Sequence, residues 1–287
     1  MGKTKLRESK ICENCGATVE VRYCSTCGQE NSVTRQSFYY LFTHFLEDLT
    51  HYDNGFWKTF KLLLYKPYEL THTYLEGKRK MYVAPVKLFI FVNFLAFLVL
   101  GALPDTDLNT KTVGSAPEKN VVQTKESKKN DLVDIIAEYN PTLLKKYSGE
   151  ELSEKFIENV KHYFPKLLFI YLPFFAFTLW LFHSKKKWWY FEHGVYTLHF
   201  FSSILLFLTL NGVLTFILDK LTLTGVSSLL SVFTFFYIIY IFYHSHHLMY
   251  LQSRFISHVK AFFIVFINLF IMLFLMLCLF WFSFIML

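Results

Sequence analysis

From Ala261 to Leu287 the chain carries no charged residue and no proline, a run long enough as a helix to cross about 30 Å of hydrocarbon. A segment of that kind selects a bilayer as its solvent. Composition agrees: of 287 residues, 53% are hydrophobic, 34 are Phe and only 18% are charged, too apolar for an ordinary soluble fold. Val195 to Leu218 and Val226 to Tyr243 are similar runs. Leu88 to Leu103 reaches spanning length if Val83 to Val86 joins it and Lys87 snorkels. Leu167 to Phe182 gains a turn from Tyr163 and Phe164, with a kink expected at Pro173. The pattern predicts an all-α polytopic membrane protein of about five transmembrane helices, near 83–103, 163–183, 195–218, 226–243 and 261–287.

Charge placement gives the helices a direction. Lys66, Lys78, Arg79, Lys80 and Lys87 precede the first span, and Lys185, Lys186 and Lys187 separate the second from the third. Only Asp219 and Lys220 lie between the third and fourth, whereas Arg254 and Lys260 lie between the fourth and fifth. The positive-inside rule then predicts a cytoplasmic N-terminus and a non-cytoplasmic C-terminus in a cytoplasmic (inner) membrane. Met1 to Lys10 is polar and basic, which argues against a removable signal. The net charge of +7 is spread beside the apolar segments, a placement that fits anionic lipid better than nucleic acid, so the lipid bilayer is the expected partner and nucleic acid is not.

The most specific motif lies at the start. Cys12-Glu13-Asn14-Cys15 and Cys24-Ser25-Thr26-Cys27 are two CxxC pairs, each followed by a glycine, Gly16 and Gly28. A CxxC turn points two sulfurs at one centre, and two such turns complete a tetrahedral thiolate cage, so residues 1–32 read as a small zinc ribbon with a structural ion. Disulfides and an iron–sulfur cluster are the competing readings. The first needs an oxidising compartment, and the paired spacing suits zinc better than a ferredoxin run. Four sulfur ligands leave no open position for chemistry. Cys278, alone in an apolar helix, reads as a small buried hydrophobe.

Residues 33–82 read as amphipathic juxtamembrane helices. Phe38, Leu41, Phe42, Phe45, Leu46 and Leu49 mark one apolar face, Asp53-Asn54-Gly55 a turn, and Phe56, Trp57, Phe60, Leu63 and Leu64 a second face with Lys58 and Lys61 beside it. This second helix lies in the interface or packs on the bundle; the sequence leaves both open. The insert 104–162, on the non-cytoplasmic side, begins without apolar periodicity over Asp105 to Asn130 and then turns helical around Leu132, Ile135 and Ile136. After Pro141, Ser148 and Glu151 form a capping-box pattern leading into Leu152, Phe156, Ile157 and Val160.

Eleven histidines are many for this length. His183, Glu192, His193, His199, His244, His246, His247 and His258 gather near the expected cytoplasmic helix ends. Glu192, His193, His199, His244, His246 and His247 form a candidate polar or transport site, because imidazole and carboxylate together bind metals or relay protons. Histidine at a membrane boundary also serves simply to satisfy headgroups or carbonyls, and both readings stand. Asn93, Asn211 and Asn268 read as interhelical hydrogen-bonding groups. No P-loop, GxSxG, GxGxxG or HExxH sequence is present, so no catalytic residue is assigned.

Three stretches resemble a bacterial membrane family known as domain-of-unknown-function family 3667: Tyr23 to Gln29, the Leu75-Glu76-Gly77-Lys78-Arg79-Lys80-Met81-Tyr82-Val83-Ala84-Pro85 segment, and Glu192-His193-Gly194-Val195-Tyr196-Thr197-Leu198-His199-Phe200. The resemblance implies a zinc ribbon ahead of a GKR-and-Pro segment that enters the first span, and an EH…LHF segment that opens a later one. Members often carry a second histidine after LHF, where this chain has Phe201-Ser202-Ser203. The family carries no established activity. The expectation is a non-enzymatic membrane protein whose ribbon mediates protein interaction or assembly, with a carrier or channel for a small solute, proton or metal ion as the alternative.

Overall fold

The computed structural model describes residues 7–32, 55–103 and 149–285, with side chains from 155 to 283 in the last stretch. The apolar face at Phe38 to Leu49 and the insert from 104 to 148 lie outside the described residues. Among those residues there are seven helices: α1 (Phe56–Tyr65), α2 (Pro67–Leu75), α3 (Pro85–Ala102), α4 (Gly149–Phe182), α5 (Tyr190–Lys220), α6 (Thr224–Tyr250) and α7 (Arg254–Ile285). Five of them, α3 to α7, contain segments long and apolar enough to cross a membrane, of 18, 28, 31, 27 and 30 residues. At 1.5 Å per residue the last four exceed a hydrocarbon layer of about 30 Å by several turns, so their ends reach beyond it. This is the architecture of a multi-pass membrane protein.

The helix expected after Ser148 and the one expected from about 163 are a single element, α4, which continues through Pro165 and Pro173. Cys278 is exposed on α7 and not buried. The reason is physical: α7 is apolar on all faces, so its sequence does not mark which face meets lipid and which meets protein.

Two compact units emerge, the described parts of Met1–Leu103 with Ile170–Ile271, and of Pro104–Phe169 with Met272–Leu287. In the second, Phe156 packs on Phe280 and Tyr163 meets Phe282 edge-on, with ring centroids 5.9 and 5.1 Å apart. In the first, α5 is the hub, touching α1, α2, α3 and α6. Every residue from Phe191 to Phe200 is buried.

The hairpin of α1 and α2 covers part of this stretch, and Phe175, Phe242 and Tyr250 pack on other parts of it. Pro67 starts α2 without a backbone N–H, so the Leu63 carbonyl at the end of α1 loses the donor that an uninterrupted helix would supply. Ser203 of α5 donates to that carbonyl at 2.7 Å, and Tyr237 of α6 donates to the next one, Leu64, at 3.1 Å. The tip of the hairpin is thereby fixed between α5 and α6, about 13 residues from the start of each. One face of α1 is buried through Thr59 and Leu63, and Phe56 and Phe60 pack on Phe91 of α3, while Trp57 stays 80% exposed. The helix therefore packs on the bundle and also presents an aromatic outward.

Interhelical polar contacts recur deeper in the bundle. Asn268 of α7 donates to Thr178 of α4 and accepts from Tyr171, at 2.7 and 3.1 Å. Asn211 of α5 bonds Ser231 and Thr234 of α6.

Replacing Ser203 by Ala leaves the buried Leu63 carbonyl without a partner and is expected to cost about 1–3 kcal/mol. Thermal melting of the detergent-solubilised protein should show a lower Tm for Ser203→Ala than for Ser228→Ala. Ser228 is exposed and bonds only within its own helix, to Thr224.

Candidate metal centre and its docking loop

The ribbon is built from one unit used twice. Lys10 to Val19 and Arg22 to Asn31 follow the same course with an offset of 12, the separation of Cys12 from Cys24. In each, the first cysteine N–H bonds a carbonyl five residues on, at Ala17 and at Gln29, both at 2.9 Å. The glycine N–H returns to the first cysteine carbonyl, Gly16 to Cys12 and Gly28 to Cys24. Antiparallel bridges Ile11–Thr18 and Tyr23–Glu30 close the two turns. Gly16 and Gly28 have φ of 76° and 72°, a conformation that side chains with a Cβ avoid.

This geometry turns four sulfurs inward. Cys12 and Cys27 lie 3.6 Å apart at Sγ, as do Cys15 and Cys24, and all four sulfurs fall within 4.8 Å of one another. In a tetrahedral thiolate site with metal–sulfur bonds of 2.3 Å the sulfurs stand about 3.8 Å apart, so the set fits a metal ion. Electrostatics point the same way. The backbone amides of Cys27 and Thr26 face Cys24 and hold its thiol down at about 6. At Cys15 the Ala17 amide favours the thiolate, yet desolvation and the three neighbouring sulfurs push the thiol up to about 12. Four thiolates crowd together only around a cation.

The knuckles are fastened to the segment that leads into α3. The Gln29 side chain donates through Nε2 to the Gly77 carbonyl at 2.6 Å and accepts the Arg79 backbone N–H at 3.1 Å, a two-point grip on one loop. The grip is rigid because the Gln29 backbone is itself part of the second knuckle, accepting from Cys24. Gly77 has φ of 97°, and a Cβ there would stand 1.9 Å from Glu13 Oε2. The ribbon thus sits where a larger residue would collide with it. Arg79 also reaches Ser32 and lies over the Tyr74 ring at 5.7 Å. The sequence marks Gly77 by resemblance and Arg79 by resemblance and as a flanking cation, and gives Gln29 no role; a polar side chain directly after a knuckle glycine was the available signal.

The second candidate group is only partly gathered. His193 and His246 both border Tyr250, at ring-centroid distances of 5.5 and 5.0 Å, and His183 stacks on the same tyrosine. Glu192 instead accepts the Trp189 backbone N–H at 2.7 Å and caps the start of α5. His199 bonds Thr71 of α2 at 3.0 Å. His244 lies against Tyr68 and Tyr240, and His247 is half-buried one turn from His244 on α6.

Stripping metal with a strong chelator should unfold the ribbon and leave α1 to α7 helical: far-UV circular dichroism stays within a few per cent, while Cys12, Cys15, Cys24 and Cys27 become reactive to a thiol reagent. Gly77→Ala, strained by about 1–2 kcal/mol at positive φ and in collision with Glu13, should raise the same reactivity without chelator.

No curated protein and no solved structure matches the chain. Residues 53–97, which hold α1, α2 and most of α3, match the family model of DUF3667, a protein of unknown function.

Proposed function

We propose that this is a non-enzymatic multi-pass protein of a bacterial cytoplasmic membrane, in which a zinc-built ribbon on the cytoplasmic side acts as an assembly element. The observation that carries the reading is the Gln29 grip on Gly77 and Arg79, which makes the ribbon a clasp on the segment entering the first span. All-sulfur coordination supports zinc held for structure and not for chemistry. A reducing cytosol keeps such thiols available, and Lys78 to Lys80 with Lys185 to Lys187 are the cations that favour this side. Ile11, Val21 and Tyr23 are 62%, 69% and 53% exposed on this small module, an apolar surface suited to a protein partner.

The alternative, a carrier or channel for a small solute, proton or metal ion, draws on the Glu192 and histidine group. Of those six residues His193 and His246 pack on Tyr250, Glu192 serves as a helix cap and His199 is taken up by Thr71. The clasp is therefore the preferred reading.

Limited trypsin digestion of inside-out vesicles tests it. Gln29→Ala and Cys24→Ser should expose Lys78, Arg79 and Lys80 and speed cleavage there by about tenfold or more, consistent with loss of one or two buried hydrogen bonds of about 1 kcal/mol each, while membrane insertion stays intact. Cleavage unchanged by Gln29→Ala, or sites reached only from right-side-out vesicles, would overturn the clasp or its sidedness respectively.

A further inference from the structure

The hairpin of α1 and α2 has a depth that α3 and α5 define. At 18 residues α3 is about 27 Å long against a hydrocarbon core of about 30 Å, so as a span it has no length to spare and its first turn marks the membrane edge. Thr59 of α1 sits at that edge: its hydroxyl accepts the Val83 N–H at 3.1 Å, two residues before α3. From there α1 runs six residues further, about 9 Å, to Tyr65. It runs inward. Val86 packs with Phe191 and Val195, so α3 and α5 begin at one level, and from that level Phe60 meets Phe91, six residues into α3, while the Leu63 carbonyl meets Ser203, 13 residues into α5. α2 then returns, with Thr71 on His199 and Tyr74 back beside Phe191.

A chain reversal at that depth must satisfy its polar groups from the protein, because hydrocarbon offers no partner. The Leu62 carbonyl takes the Lys66 N–H at 2.7 Å, that of Leu63 the Ser203 hydroxyl at 2.7 Å, that of Leu64 the Tyr237 hydroxyl at 3.1 Å, and that of Lys66 the Glu69 N–H at 3.0 Å. Pro67 brings no N–H to satisfy, and its carbonyl takes the Thr71 hydroxyl at 3.1 Å. The cation at the turn, Lys66, lies 3.3 Å from the Glu69 carboxylate. A turn in water needs none of these side-chain donors, since solvent serves the carbonyls at a helix end.

The face that α1 turns away from the bundle is ordered by the same depth. Trp57, Lys61 and Tyr65 follow one another at four-residue steps on one side of the helix, and all three are exposed, Trp57 at 80% and Tyr65 at 64%. Lys58 is exposed beside Trp57, and α1 holds no acidic residue. Tryptophan and lysine at the edge with an aromatic below them is the pattern of a helix that meets headgroups, and two lysines with no carboxylate on the helix complement a phosphate. We propose that α1 and α2 form a re-entrant hairpin seated in the leaflet that α3 enters, and that the outward face of α1 binds an anionic phospholipid, its headgroup at Lys58 and Lys61 and its acyl chain alongside Tyr65. The lipid site stands apart from the clasp: neither Gln29 nor the cysteines take part in it.

Two measurements on the full chain test it. For depth, Lys58→Cys and Tyr65→Cys, each combined with Cys278→Ser, are reconstituted in vesicles, opened by freeze–thaw and treated with a charged maleimide; the Cys278→Ser chain alone sets the background. Lys58→Cys should react about tenfold faster or more, because a charged reagent does not reach a thiol below the headgroups. Equal rates would place the turn in water and overturn the hairpin's seat. For the lipid, the chain is extracted in mild detergent from vesicles of equal parts phosphatidylglycerol and phosphatidylcholine, and the phospholipid that stays bound is identified by mass spectrometry. Phosphatidylglycerol should be retained in preference. Lys58→Gln with Lys61→Gln should lower its retention by about fivefold per lysine, the worth of one cation at an anionic surface, while Lys220→Gln at the far end of α5 leaves it unchanged. Both lysines on α1 are exposed, so the fold survives their change. No preference for phosphatidylglycerol, or a preference that the double variant keeps, would overturn the lipid site.

Discussion

The structure depends on one constraint: every residue of α5 from Phe191 to Phe200 is buried, so its polar groups have only the protein to turn to, and the Tyr196 hydroxyl and Nε2 of His193 and His199 stay without a hydrogen-bond partner. The hydroxyls of Thr197 and Ser202 turn back onto carbonyls of their own helix, at His193 and Leu198. The imidazoles of His193 and His199 instead reach across to neighbours, Tyr250 and Thr71. His199 finds Thr71, whose own hydroxyl proton goes to the Pro67 carbonyl. Because Thr71 has spent its donor, it accepts from His199. That single tautomeric choice ties α2 to α5 at the centre of the buried stretch.

The hairpin of α1 and α2 is the counterpart of that constraint. It buries Leu63, Leu70 and Tyr74 against the bundle, and Tyr74 joins Phe191 and Val195 in one apolar cluster. The break at Pro67 frees a carbonyl at the hairpin tip, and Ser203 satisfies it from α5. Proline in an apolar setting is tolerated where a neighbouring helix supplies the missing donor, which is the case here. The DUF3667 match covers this hairpin and the span it leads into, so the matched region is a packing unit and not an isolated helix.

The five spans were legible because length and apolarity decide them without reference to neighbours, and the paired CxxC turns were legible because four sulfurs at that spacing have few other uses. Which face of a span meets protein was not legible. An α7 that is apolar all round carries no such mark, and Cys278 accordingly faces outward. The partition of Glu192 and the histidines was hidden for another reason. Glu192 and the histidines were grouped by their nearness to helix ends, but Glu192 lies in the first turn of α5, where its carboxylate accepts the Trp189 backbone N–H. His183, left out of the candidate group, lies beside His193 and His246, directly after the end of α4.

A continuous set of contacts joins the two ends of the first unit's polar chemistry. Gln29 holds the backbone of Arg79, the Arg79 guanidinium lies over Tyr74, and Tyr74 packs on Phe191 and Val195, which flank His193. Spatial continuity alone is not coupling. Coupling requires an element with two arrangements, and the loop from Gly77 to Met81 is the natural one. Gly77 takes a conformation that only glycine adopts freely, and the Met81 carbonyl lies where a Cβ on Gly55 would stand at 2.5 Å. Gln29 holds this loop through the Gly77 carbonyl and the Arg79 N–H. The segment before α3 is also held by the Gly77 N–H on the Tyr74 carbonyl, the Lys78 N–H on the Thr73 carbonyl, Arg79 over the Tyr74 ring and the Val83 N–H on the Thr59 hydroxyl. The clasp thus adds two hydrogen bonds to a segment that has its own ties to α1 and α2, and so joins the ribbon to the chain that leads into the first span.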